Sequence, residues 1–111
     1  SLTGKANADN IKAIIDTVKA KNPDCEFIVM TCMVPNKTAG FLTTQNQFPA
    51  AYKALEKEGV AVIDLYSIHD EILKTKDFIA TSGNNINHPN DWLARIYAMS
   101  ILSTLIDYTA K

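Results

Sequence analysis

The chain is poor in the residues that mark specialised classes of protein. Two cysteines among 111 residues are too few for a disulfide scaffold. Cys25 and Cys32 also fall at the two ends of one extended-looking run, roughly 20 Å apart at ~3.3 Å per residue, so they cannot bridge each other. They are expected as buried free thiols. No apolar run approaches the ~18 residues of a membrane span. Neither sign of charge dominates. The 11 basic and 12 acidic residues are well mixed, and a net charge of −1 leaves no footprint for nucleic acid or an anionic membrane surface. The two histidines, His69 and His88, are 19 residues apart with no short-spaced ligand pair, so no metal and no other cofactor is expected. No Gly-x-Ser-x-Gly elbow surrounds Ser67, Ser82, Ser100 or Ser103, which argues against a serine nucleophile within the chain. The first residues carry no signal-peptide pattern, yet "SLTGK" does not resemble a natural start. A soluble protein is expected. Its compartment stays open, and export of a longer parent protein is compatible with what is present.

What is present is an ordinary globular composition, 47% apolar and 21% charged, enough for one domain with a modest core. Over residues 6–21, Ile11, Ile14, Ile15 and Val18 form one helical stripe, with the lysines kept off it. "KNPD" ends that helix, because proline disfavours helical geometry in the residue before it. "CEFIVMTCMV", residues 25–34, is a near-continuous apolar run of strand length, which predicts burial on both faces as in a covered parallel sheet. A polar loop, "PNKTAGFLTTQNQ", follows. From about Asn46 the helical period returns with Phe48, Ala51, Tyr52 and Leu55, and "KEG" closes it. "VAVIDLY" predicts a second strand. "SIHDEILKTKDFI" predicts a helix with Ser67 as N-cap and His69 on its surface. A last helix starts near Asn90 and carries Leu93, Ile96, Tyr97, Ile101, Leu105 and Tyr108.

Strands alternating with helices predict an α/β layered fold with a parallel sheet. Two strands make a poor free-standing sheet, so the chain reads as the C-terminal half of a larger domain. An unpaired sheet edge predicts pairing of two copies as a homodimer.

In open parallel sheets, ligands bind beyond the C-terminal ends of the strands. Three segments gather there on this reading: "VPNKTAG", "LYSIHD" and "NNINHPND". His88 lies in the third, among Asn84, Asn85, Asn87 and Asn90, and Pro89 biases the residue before it toward extended geometry.

"NHPND" followed by "LARIYA" resembles the last signature block of the SGNH/GDSL esterase superfamily, an Asp-x-x-His-Pro loop before the final helix. The order of elements resembles the C-terminal half of that fold across essentially the whole chain, but only the His-Pro block is a specific motif. The resemblance implies a three-layer α/β/α, flavodoxin-like fold, with residues 1–111 as the C-terminal portion of one domain. It implies a serine esterase or acylhydrolase acting on a small carboxylic ester, acetylated carbohydrate among the plausible substrates. His88 would then be the catalytic base, with the nucleophilic serine and oxyanion hole upstream of Ser1. The family's acid lies three residues before the histidine, where this chain has Asn85. The full-length site would then work as a Ser-His dyad, or Asn85 would fix the ring while another carboxylate, with Asp64 the candidate, supplies the charge. Asn36, Asn84 and Trp92 are the candidates for lining a substrate cleft. The competing expectation is a non-catalytic flavodoxin-like binding module or a degenerate esterase, which the missing acid favours.

Overall fold

The computed structural model of the chain describes residues 2–110. Helix α1, Gly4–Lys21, begins where Thr3 caps it, the Thr3 hydroxyl oxygen accepting from the Ala6 N–H at 3.2 Å. Its first residue has to be small. The Gly4 N–H donates to Gln47 Oε1 at 2.8 Å, and a Cβ at Gly4 would stand 2.6 Å from the Gln47 Cβ. The start of α1 is thus pinned to the turn that leads into α2, Phe48–Lys53, in which Pro49 occupies the first turn, where its missing N–H costs nothing.

Strand β1, Ile28–Met30, pairs in parallel with β2, Ala61–Ile63, in the register Ile28 to Ala61 and Met30 to Ile63. Phe27, Val29 and Val62 face a core of Ala8, Ile15, Tyr52, Leu55 and Val60, which joins α1 and α2 to one side of the sheet. The α/β character and the parallel pairing agree with the sequence reading.

The expected burial of β1 on both faces does not hold. Ile28 and Met30, which alternate with the core residues, are 38% and 40% exposed. The reason is geometric: α4, Asp91–Leu105, packs against β2 and leaves this face of β1 open. Cys32, which continues the same alternation, is exposed, and Cys25 is only half-buried, so neither is the buried thiol expected. Packing around the Cys32 sulfur nevertheless pushes its thiol up, since desolvation disfavours the thiolate.

Helix α3, Leu65–Ile72, also starts earlier than expected. Its N-cap is Asp64, whose Oδ1 accepts from the Ser67 N–H at 3.0 Å; Ser67 itself is helical. The "DLY" of the second apolar run is therefore a cap and a first turn rather than strand. Asp64 has the shorter acidic side chain that reaches a free N–H at a helix start, and this outweighs the apolar character of its neighbours. The largest fully buried side chains are Leu65 and His69 of α3, Leu93 of α4, Val34 after β1 and Thr81 before the histidine loop.

Candidate functional site: the asparagine–histidine loop

The loop carrying His88 is closed at its base. Ser82 and Pro89 form an antiparallel bridge, and the His88 carbonyl accepts from both the Gly83 N–H at 2.9 Å and the Ser82 hydroxyl at 3.0 Å. A Cβ at Gly83 would stand 3.1 Å from the Pro89 carbonyl oxygen, so a glycine suits this closure. Asn90 carries the chain into α4. Its Oδ1 caps the Leu93 N–H at 3.0 Å, and its Nδ2 donates to the Ala80 carbonyl at 2.8 Å. The helix thus starts where the sequence reading put it, near Asn90, with the asparagine as its N-cap.

The interior of the loop is organised by Asn84. Its Oδ1 accepts the backbone N–H groups of Ile86, Asn87 and His88, at 2.9, 3.0 and 3.0 Å. Three backbone donors on one oxygen fold residues 84–88 into a compact arch and leave the Asn84 Nδ2 facing the histidine. That nitrogen lies 2.8 Å from His88 Nδ1, and Asn87 Oδ1 lies 2.7 Å from the same ring atom. His88 is exposed, and no partner for its Nε2 is found among the described residues. The ring is therefore held at one nitrogen and open at the other.

Asn85 and Asp64, the two residues expected to support the ring, are engaged elsewhere. Asn85 adopts a left-handed backbone, φ 57°, as asparagine tolerates. Its carbonyl accepts from Asn36 Nδ2 at 2.8 Å, and its side chain also faces Asn36 rather than His88. Asp64 caps α3 and accepts from the Thr31 hydroxyl at 3.2 Å. The amides of Asn84 and Asn87 stand at Nδ1 instead. Asn84 was expected in a substrate cleft and proves to be the organiser of the loop. Asn87 was named only as one of the asparagines around His88 and given no role of its own. Its i, i+3 spacing from Asn84 was the available signal.

Asn36 couples the loop after β1 to the histidine loop. Its N–H donates to the Ile86 carbonyl at 2.7 Å, in addition to the Nδ2 bond just described. It also lines a cleft of ≈250 Å³ with Val34, Pro35, Lys76, Asp77 and Phe78. Trp92 lies alongside, 40% exposed, with the Lys76 ammonium 4.6 Å above its ring, a cation–π contact that anchors it as much as it offers a surface. Of the three cleft candidates, Asn36 lines the cleft, Trp92 stands next to it through Lys76, and Asn84 belongs to the loop interior.

The second histidine corrects the sequence reading most clearly. His69, expected on the helix surface, is fully buried. The Val34 N–H donates to its Nδ1 at 3.1 Å, which requires a lone pair there and assigns the proton to Nε2. Nε2 then donates to the Thr81 hydroxyl, 2.9 Å away, and that hydroxyl donates to the Phe78 carbonyl at 2.7 Å. One ring thus ties α3 to the segment after β1 and to the base of the histidine loop. Burial holds its pKa below the ordinary histidine value, with the neighbouring Asp70 opposing. A visible signal existed: Leu65, His69 and Ile72 fall at i, i+4 and i+7 on one helical stripe.

Other groups are less suited to chemistry. Ser82, close in sequence to His88, gives its hydroxyl to the His88 carbonyl and not to the ring. Burial pushes the Tyr97 phenol up to about 12, with Cys32 adding to the shift and the Met33 backbone opposing it, so Tyr97 is neutral at ordinary pH. Among the described residues no three His, Cys, Asp or Glu side chains gather as a metal site would need, and no helix is long and apolar enough to cross a membrane. No protein-family model, curated protein or solved structure matches the chain.

Proposed function

We propose that residues 1–111 carry the general-base part of a serine esterase of the SGNH/GDSL type, with the nucleophile and oxyanion groups on polypeptide outside them. The fold proposed for the whole is the three-layer, flavodoxin-like sandwich. The observation that carries the reading is the state of His88: exposed in a loop that Asn36 bonds to the segment after β1, and held at Nδ1 by two amides, with no partner for Nε2 among the described residues. A ring held in this way can take a proton at Nε2 from a serine hydroxyl as that oxygen attacks an ester carbonyl. It then returns the proton to the departing alkoxide, which leaves as the alcohol. Water, deprotonated by the same nitrogen, releases the acid and restores the serine. The substrates proposed are small carboxylic esters, acetylated carbohydrate among them.

The experiment uses the longer polypeptide containing these residues and residues 1–111 alone, both with 4-nitrophenyl acetate. The longer polypeptide turns the ester over and loses activity to a serine-directed fluorophosphonate. Residues 1–111 alone hydrolyse it no faster than their His88→Ala variant. Absence of turnover in the longer polypeptide would leave the second reading, a non-catalytic binding module. That reading is favoured by one observation, the amides rather than a carboxylate at Nδ1.

Association between copies follows from the open face of β1. Ile28 and Met30 stand exposed beside an edge with no further strand among the described residues. Sedimentation of residues 1–111 is expected to show a dimer that dissociates on dilution. A monomer at all concentrations would remove this proposal.

A further inference from the structure

Two amides of opposite polarity meet one ring nitrogen. The Asn84 side chain is fixed in orientation, because its Oδ1 collects three backbone N–H groups and also lies 3.4 Å from the Ser82 hydroxyl. Its Nδ2 must therefore face outward as a donor. Asn87 is fixed in turn, since its Oδ1 accepts from that Nδ2 at 3.1 Å. His88 Nδ1 then lies 2.8 Å from a donor and 2.7 Å from an acceptor. Bearing a proton, Nδ1 donates to Asn87 and meets the Asn84 N–H head-on. Bearing a lone pair, it accepts from Asn84 and meets the Asn87 oxygen. Each tautomer has one partner and one mismatch.

We propose that Asn84 and Asn87 are positioning residues that set the tautomer of His88 in opposite directions, Asn84 toward the form protonated at Nε2 and Asn87 toward the form protonated at Nδ1. The inference rests on the reading of His88 as a general base for its consequence, because only the Nδ1-protonated form leaves Nε2 able to accept a proton. Position 84 then decides how much of the ring is competent. An aspartate there would keep one oxygen on the three backbone donors and turn the other, an acceptor, toward Nδ1.

The test is ¹⁵N NMR of the His88 ring in residues 1–111, at about pH 8.5, where an ordinary histidine is neutral. The parent chain is expected to give intermediate shifts for both ring nitrogens, as two exchanging tautomers do. Asn84→Asp moves Nδ1 to the protonated, pyrrole-like position and Nε2 to the pyridine-like one. Asn87→Ala, at an exposed position whose loss leaves the Asn84 arch intact, moves both nitrogens the other way. A merely structural role would not produce opposite shifts. Parent-like ring shifts in both variants, or shifts in the same direction, would overturn the proposal. Opposite shifts together with no ester turnover in the longer polypeptide would sustain tautomer control and remove the esterase reading.

Discussion

Replacing His88 by alanine in the longer polypeptide is expected to lower turnover of 4-nitrophenyl acetate by on the order of 10⁴-fold. A serine hydroxyl is a weak nucleophile until a base accepts its proton in the transition state, and the proposed site offers one group for that task. The loss should fall on kcat with little change in KM, because Nε2 meets the reacting hydroxyl rather than the bound ester. Folding should be almost untouched. The His88 side chain is exposed and among the described residues meets Asn84 and Asn87 alone, while its backbone groups, which close the loop, are kept in the variant. An unchanged unfolding midpoint with a rate loss under about tenfold would show that His88 is not the base.

His69→Ala has the opposite profile. It is expected to destabilise the chain by about 3–5 kcal/mol, through an emptied buried ring site and the loss of partners for the Val34 N–H and the Thr81 hydroxyl. For a chain of this length that lowers the unfolding midpoint by ten degrees or more, at ~4 °C per kcal/mol. The same ring makes stability depend on pH. Burial, opposed by Asp70, lowers its pKa in the folded chain, so between that value and the ordinary ~6.5 the unfolded chain binds more protons than the folded one. Stability therefore rises with pH across that window. The contribution is complete above about pH 6.5 and is lost as the pH falls toward the lowered folded value, at up to ~1.4 kcal/mol per pH unit. Protonation puts a hydrogen on Nδ1 against the Val34 N–H, which is the structural form of the same cost. Urea unfolding between about pH 5 and 7.5 checks this. A parent chain with no slope in this window, or a His69→Ala variant that keeps it, would contradict the assignment.

The sequence was most legible where one local preference met no competitor. The helix start near Asn90, the parallel strands and most of the α1 stripe follow from periodicity and alternation, although Ile14, read as part of that stripe with Ile11, Ile15 and Val18, is 61% exposed. It was misleading where two preferences met in one segment. Asp64 and Leu65 extend an apolar strand pattern, yet the aspartate's capping of Ser67 wins and turns the chain into a helix. Ile28 and Met30 belong to a run that looks buried on both sides, but α4 covers β2 and leaves them open. At the site, the histidine loop could be read from "NHPND". Its internal wiring could not, because four asparagines in seven residues carry identical donors and acceptors. Only the arch of backbone N–H groups on Asn84 decides which of them reaches the ring. His69 was hidden among the charges of "IHDE", although its place on the Leu65 and Ile72 stripe marks it as interior.

The central claim, that His88 serves a serine carried elsewhere, is tested most directly by reading the coding sequence immediately upstream of Ser1. The account predicts, in the same reading frame, the blocks the SGNH/GDSL resemblance implies: a Gly-x-Asn-Asp shortly before it for the oxyanion hole, and a Gly-Asp-Ser earlier for the nucleophile. A stop codon or an unrelated domain at that place would contradict it and leave the asparagine loop as a binding or structural element.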